Sequence, residues 1–289
     1  MLKGGSKMAK LLVDLFKVRI GLLMAITALV ALLVTPGRSV QVWEALVLSL
    51  SVLFASSSAG AFNQYFERDL DSRMHRTHNR PFVTGAFSHN GWWLLPIALL
   101  LVIAVGGAAI MLNDIAALYV FLGAFFYAVV YTIWLKRRTW LNIVIGGAAG
   151  SFAVLAGAAV VDPNLGPIPI TLAMVLFLWT PPHFWSLAIA RRDEYASAGV
   201  PMLPVVVGDQ GAANAVLWNT TALVICSLLP FFFGLGWFYL FGALTGGGYF
   251  LYRSIQLQQA PSRKTAMNSF FASLIQLVVL LVFSVIDVL

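Results

Sequence analysis

Charge is what this sequence has least of. Only 10% of its 289 residues are Asp, Glu, Lys or Arg, whereas a soluble globular domain carries about a quarter. An ordinary aqueous enzyme is therefore excluded. Acids are scarcer still, with 11 against 18 basic residues, and there are four histidines. A disulfide framework is excluded because Cys226 stands alone. Disorder is excluded because 60% of the side chains are hydrophobic. The net charge of +7 would suit nucleic acid, but long apolar runs make the lipid bilayer the expected surroundings, with no nucleic-acid partner.

A membrane-crossing helix needs roughly 20 apolar residues. Nine segments qualify: Ile20–Pro36, Trp43–Phe62, Trp92–Leu112, Ile115–Leu135, Leu141–Val161, Ile168–Ala190, Ala213–Phe233, Trp237–Tyr252 and Asn268–Val288. The split at Gly234 and Gly236 is the faintest, because the apolar run barely pauses there. Residues 1–19 read as a basic cytoplasmic tail and residues 20–289 as one intramembrane domain, leaving no room for a soluble one. The first run resembles a secretory signal, but eight further spans favour a retained helix. With the N-terminus inside, every Lys and Arg except Arg38 falls on the inner side. That asymmetry predicts an N-in, C-out, all-α polytopic protein in the plasma (inner) membrane. Gly146, Gly150 and Gly157 share a face of the fifth span and predict close helix packing.

Most acids are singletons at span ends. Five gather in two inner loops. The first runs Asn63-Gln64-Tyr65-Phe66-Glu67-Arg68-Asp69-Leu70-Asp71 out of the second span. On a continued helix Asn63, Glu67 and Asp71 lie within about 80° of one another, while Asp69 points about 240° from Asn63. Like charges four apart destabilise a helix. The interleaved Arg68, Arg73, Arg76 and Arg80 would serve a merely solvated face. They also supply what a divalent cation and a phosphate ester need together. Magnesium takes one or two carboxylates plus phosphate oxygens, and Arg forks take the other oxygens. The column therefore reads as a magnesium site.

The second cluster follows Trp179-Thr180-Pro181-Pro182-His183-Phe184-Trp185 and comprises Arg191-Arg192-Asp193-Glu194-Tyr195. Adjacent prolines are expected to interrupt the sixth span and free carbonyls. His75, His78 and His89 sit in the first inner loop. His183 lies inside a span, either bonded to a freed carbonyl or acting in the reaction.

Asn63-x3-Glu67-x-Asp69-x-Asp71 with Met74-x-Arg76-Thr77-x2-Arg80-Pro81 resembles the first aspartate-rich motif of UbiA-type intramembrane prenyltransferases. Thr180-Pro181-Pro182-His183-Phe184-Trp185 and Asp193-Glu194-Tyr195-x3-Gly199-x-Pro201-Met202-Leu203-Pro204 resemble its haem-farnesylating branch, as does Leu135-Lys136-Arg137-Arg138-Thr139 with Asn142 and Gly146-Gly147. The likeness spans nearly the whole chain after the tail. Two departures stand out. The second motif of the superfamily pairs aspartates four apart, where this chain has Arg191 and Tyr195 around Asp193 and Glu194. The usual Lys-Pro-Arg before the first span reads Lys17-Val18-Arg19.

The resemblance implies a UbiA-type helical bundle. It also implies a Mg2+-dependent enzyme joining farnesyl diphosphate to a vinyl group of haem B, with water added, to give haem O and diphosphate. Asn63, Glu67 and Asp71 would serve the metal through the diphosphate, with Lys17, Arg19, Arg68, Lys136 and Arg137 on the diphosphate. Asp193, Glu194 and Tyr195 would form the second loop, and His183 would act on the haem side. Tyr127, Tyr131, Trp179 and Trp185 would line the acceptor pocket and face the allylic cation with their rings. Haem A synthase or terminal oxidase assembly would be the downstream partners. A UbiA-type enzyme acting on a quinone precursor would share the first motif but show paired aspartates in the second loop. A transporter would carry charges at mid-membrane, and a haem-binding assembly factor would not need the Asn-Glu-Asp column.

Overall fold

The computed structural model describes residues 2–289, with side chains from Met8 onward. Of the basic residues counted above, Lys3 and Lys7 have side chains outside that range. Among the described residues the chain is all helical and has no strand. The basic tail forms α1 (Leu2–Leu15), bent by 51° from α2 (Val18–Val34). Then come α3 (Val42–Phe66), the short α4 (Arg68–Asp71) and α5 (Pro81–Thr84), and α6 (Leu94–Met111). α7 (Asp114–Phe125) passes into a π-helical segment, Phe126–Leu135. α8 (Asn142–Gly146) and α9 (Ala148–Val161) precede α10 (Pro167–Ala190), and α11 (Arg192–Ser197) forms the second acidic loop. α12 (Leu203–Phe232), α13 (Trp237–Gln259) and α14 (Arg263–Val288) complete the bundle.

Each expected apolar segment is helical, but the count of nine spans is not reached on length and apolarity. Seven helices among the described residues satisfy both, and the bent α1–α2 pair makes an eighth. α13 has the length at 23 residues, but Arg253, Gln256, Gln258 and Gln259 dilute its C-terminal end. Two other expectations are corrected. Pro181 and Pro182 lie within one continuous helix, α10, so they do not break the span. Ser186 Oγ donates to the Pro182 carbonyl at 2.7 Å and Thr180 Oγ1 to the Leu176 carbonyl at 3.0 Å, so hydroxyls on either side of the prolines add side-chain bonds to the backbone of this stretch. The helix of the seventh segment also begins four residues before Ala213, at Asp209, where it resumes after a kink at Gly208 (φ 76°, ψ 171°) that sets off the short stretch from Leu203.

Two apolar cores share α2 and α9. The first is mostly alanine from α2, α3, α6, α7 and α9; the second brings larger side chains from α10, α12, α13 and α14 onto α2. Large apolar residues such as Leu99, Ile110, Phe238 and Val278 cover the outside, an exposure that suits lipid and not water. Without a hydrophobic drive between helices in lipid, close backbone approach through small residues carries the packing. Gly157 is the tightest such point, since a Cβ there would stand 2.0 Å from the Ala28 carbonyl oxygen. A Cβ at Gly146 would meet the Tyr131 ring at 2.8 Å, whereas at Gly150 its nearest neighbour would be Leu176 at 3.5 Å.

The helix ends sort into two groups. At one end Arg38 forks onto Glu44 and reaches the Val160 carbonyl at 2.8 Å, and Asn113 Nδ2 donates to the Ala159 carbonyl at 2.9 Å. At the other end Lys136, Arg137 and Arg80 meet the acids of the first loop.

Gly157→Ala is expected to lower stability in detergent by about 1–3 kcal/mol through overpacking against α2. Gly150→Ala should stay within about 0.5 kcal/mol of the parent. Thermal unfolding followed by circular dichroism checks both, and equal losses would refute the close approach at Gly157.

Candidate functional site

α3 ends one residue before Glu67, which takes φ −95° and ψ 13°, so the column does not lie on one unbroken helix. The i→i−4 bonds nevertheless continue through the break, Glu67 N to Asn63 O at 3.0 Å and Asp71 N to Glu67 O at 2.8 Å. The i, i+4 face therefore survives. Asn63, Glu67 and Asp71 are 2%, 0% and 2% exposed. The Asp69 side chain is 58% exposed and pairs with Arg137 at 2.8 Å outside the column. That pair holds the Asp69 carboxyl below, and the Arg137 guanidinium above, their usual ranges.

Each acceptor in the column is met by a cation from a different part of the chain. Lys17, at the joint between α1 and α2, donates from Nζ to Asn63 Oδ1 at 2.7 Å and to the Tyr127 hydroxyl at 2.7 Å. Lys136, just past the π-helical segment, reaches Glu67 Oε2 at 2.5 Å. Arg80, at the end of the loop, donates to Asp71 Oδ2 at 2.6 Å. Thr77 Oγ1 also bonds the Asp71 carbonyl at 3.0 Å and folds the loop back. Burial pulls the Lys136 ammonium down, against the pull of Glu67. Burial likewise pushes the Asp71 carboxyl up, only partly offset by Arg80.

The π-helical segment explains how the fourth expected span joins this site. Its i→i+5 register sets Thr132 against the Tyr127 carbonyl (2.8 Å) and Lys136 N against the Tyr131 carbonyl (2.9 Å). Tyr127 and Tyr131 then stack at 5.7 Å beside the column. Lys17 and Lys136 sit 5.3 and 5.7 Å from the two ring centres. Thr132 Oγ1 accepts from Asn63 Nδ2 at 3.1 Å and fixes the amide so that its oxygen faces Lys17.

The second loop packs on the first. Tyr195, Ala198, Val200 and Met202 form one buried cluster with Leu70 and Met74. Burial raises the Tyr195 hydroxyl, with Arg76 pulling the other way. Arg191 binds Glu194 Oε1 at 2.5 Å, leaving Glu194 Oε2 buried without a partner, while Asp193 is exposed.

Not every candidate converges. Arg19 is exposed; Arg68 is exposed and donates to the Phe82 carbonyl at 3.0 Å; Arg137 is engaged by Asp69. Trp179 and Trp185 belong to two separate apolar clusters, away from the Tyr127–Tyr131 stack. His183 is stacked between Trp179 (4.3 Å) and Phe270 (4.5 Å), and its Nδ1 lies 2.7 Å from Ser273 Oγ. Its partner is thus a hydroxyl of α14 and not a freed carbonyl. The sequence places Arg80 among the interleaved arginines of the first loop but does not single it out as the partner of Asp71. Thr132 carried no signal, because its place depends on the π register.

A divalent cation fits the column. Glu67 Oε1 is buried and has no partner, which is costly unless a cation or donor arrives. No group of three His, Cys, Asp or Glu side chains among the described residues could hold a metal alone. The remaining ligands would have to be non-protein oxygens, the usual state of magnesium on a phosphate substrate. Two carboxylates against Lys17, Lys136 and Arg80 leave one net positive charge, which favours an anion.

Such a bundle, with its acid column at one end, is that of an intramembrane prenyltransferase. Residues 24–275 match the UbiA prenyltransferase family, and the chain belongs to it. It is 56% identical over 272 residues to protoheme IX farnesyltransferase 2 of Paramagnetospirillum magneticum, covering 94% of each chain. It is 46% identical to protoheme IX farnesyltransferase 1 of the same organism, covering 93% of this chain and 95% of that one. A solved digeranylgeranylglyceryl phosphate synthase structure superposes with a TM-score of 0.80 at 19% identity, over 97% of this chain and 98% of that one. A UbiA homologue from Archaeoglobus fulgidus bound to GPP and Mg2+ gives 0.70 at 17%, over 93% and 99%. The protein is a multi-span membrane prenyltransferase.

Glu67→Gln and Asp71→Asn should each reduce prenyl transfer by about 100-fold or more, as expected when a carboxylate that holds the cation neutralising the leaving diphosphate is lost. Asp69→Asn should stay within about threefold, since it breaks only an exposed pair. Rates in inserted, folded membrane preparations decide; equal losses at all three would mean that the break at Glu67 lets the whole segment wrap around the metal.

Proposed function

We propose that this enzyme transfers the farnesyl group of farnesyl diphosphate to a vinyl group of haem B, with addition of water, releasing diphosphate and forming haem O. The observation that carries the acceptor is the 56% identity, over 94% of both chains, with a relative bearing that activity in its name. The chemistry of transfer is supported by the column. The farnesyl C1–O bond breaks with its electron pair leaving on diphosphate, the vinyl carbon bonds to C1, and water supplies the new hydroxyl and loses a proton. Magnesium, when bound, neutralises the leaving diphosphate as charge develops on it. Asn63, Glu67 and Asp71 would hold it together with substrate oxygens, while Lys17, Lys136 and Arg80 turn toward phosphate. Arg19, Arg68 and Arg137 would act from the rim. Tyr127 and Tyr131 are positioned to shield the allylic cation with their ring faces.

The bilayer orientation proposed is N-in and C-out with nine crossings in one domain, residues 20–289, in the inner membrane. The basis is the confinement of every Lys and Arg but Arg38 to one side. Both acidic loops then face the cytoplasm, and the product passes to haem A synthase or a terminal oxidase in assembly. Of the second acidic loop, Tyr195 braces the first loop by packing on Leu70 and Met74, while Glu194 is held by Arg191 and Asp193 faces outward. His183 belongs on the haem side: it is about 10 Å below the inner end of α10 at 1.5 Å per residue, and its contacts run to α14, not to the carboxylates.

Membranes containing the enzyme, given haem B, farnesyl diphosphate and Mg2+, should produce haem O by mass spectrometry. Chelation should stop the reaction and added Mg2+ restore it; an unchanged haem pool would overturn the reading. His183→Phe keeps an aromatic ring between Trp179 and Phe270 but loses the Ser273 bond. It should cut turnover about tenfold or more with farnesyl diphosphate affinity unchanged, measured with a non-reactive analogue. Loss of farnesyl affinity instead would reverse the assignment of sides.

A further inference from the structure

α1 and α2 would form one helix but for the joint at Lys17. There the backbone is left-handed, φ 47° and ψ 41°, at a residue that is not glycine. A lysine adopts that conformation only where its surroundings compel it. The compulsion comes from α3. Gln64, 3% exposed, donates from Nε2 to the Asp14 carbonyl at 2.7 Å and to the Leu15 carbonyl at 3.3 Å. Both carbonyls belong to the last turn of α1, and the Asp14 carbonyl also takes the Lys17 N–H at 3.3 Å, so Gln64 ties that turn down at the joint itself. One turn back, Gly60 leaves room for the Lys17 stem; a Cβ there would stand 3.1 Å from Lys17 Cδ. Gln64 and Asn63 are neighbours in sequence, so on the helix their side chains diverge by about 100°. One faces α1 while the other faces the column. The result is a Lys17 ammonium 2.7 Å from both Asn63 Oδ1 and the Tyr127 hydroxyl.

We propose that Gln64 is a positioning residue for substrate binding: its side-chain amide clamps the end of α1 and so aims Lys17 at the diphosphate. The inference rests on the reading of Lys17 as a diphosphate ligand, and it assigns Gln64 no contact with substrate. Without the clamp, α1 can swing and Lys17 can relax to an ordinary helical conformation, drawing its ammonium out of the column. The effect falls on the diphosphate and not on haem.

The test compares Gln64→Met, which keeps the volume and removes the donor, with Lys17→Met and the double variant, in the full chain purified in detergent. Binding of a non-hydrolysable farnesyl diphosphate analogue and the separate KM values for farnesyl diphosphate and haem B are measured. Each single change should weaken analogue binding about tenfold, the scale of one lost hydrogen bond to a charged group. The KM for haem B should move less than about twofold. The double variant should bind no more weakly than Lys17→Met alone, because the two residues act through one contact. Gly60→Ala, which displaces the Lys17 stem, should shift the same quantity in the same direction and carries the test if Gln64→Met does not insert. Full affinity in Gln64→Met, additive losses, or an equal rise in the KM for haem overturns the positioning role. Full affinity in Lys17→Met overturns the diphosphate assignment itself, and the two failures are thus distinguishable. Analogue binding is read without turnover, so a different acceptor would sink the haem reading and leave this one standing.

Discussion

Burying Glu67 where α3 leaves the apolar bundle is the constraint on which the rest of this structure depends. Its carboxylate is fully enclosed, with one oxygen on Lys136 and the other on nothing. Removing one partner of such a pair costs about 3–5 kcal/mol, because the survivor stays buried and charged. The fold therefore has to deliver cations to this spot, and it does so with irregular backbone. Lys17 sits in a left-handed joint, Lys136 follows a π-helical segment, and Glu67 itself interrupts the helix. All three departures converge on the column. They are tolerable there because side-chain pairs offset strain that regular helix would avoid, and because a site for an anion needs cations aimed inward from several directions.

The Asp69 carboxylate shows how little separates a site from a surface. It lies two residues from Glu67 and two from Asp71, yet its partner Arg137 is exposed with it. Helical phase alone decides. The same phase sends Gln64 to α1 and Asn63 to the column. A chain poor in charge can thus place two carboxylates and an amide in one buried row while its remaining acids stay in solvent or close the helix ends.

Much of this is legible in residues. The apolar runs give the helices, and the 3.6-residue period gives the burial of Asn63, Glu67 and Asp71 against the exposure of Asp69, even though the helix breaks at Glu67. The small residues give the close approach at Gly157. What was not legible depends on tertiary register. Nothing local announces that Phe126–Leu135 is π-helical, so Thr132 was invisible and the place of Tyr127 beside Lys17 could not be drawn. Pro181 and Pro182 look like breakers, but a helix enclosed by α12 and α14 continues through them, and neighbouring hydroxyls bond its carbonyls. Trp179 and Trp185 share the tyrosines' chemistry but not their place; six residues apart on α10, they pack into two different apolar clusters.

The two ends of the bundle hold polar groups for opposite purposes. At the far end every strong contact closes a helix terminus. Glu44 accepts from the Gln41 backbone while holding Arg38, and Arg38 spans to the last turn of α9. Asp287, near the end of α14, accepts from the backbone N–H groups of Gly236 and Tyr239 at the start of α13. These contacts satisfy orphan backbone groups and leave no such gap. At the column, by contrast, cations are spent on side-chain acceptors, and Glu67 keeps an oxygen without a partner. A group that costs stability and closes nothing is retained for what it can bind. That asymmetry, more than the count of charges, is what distinguishes the column from the other end of the bundle.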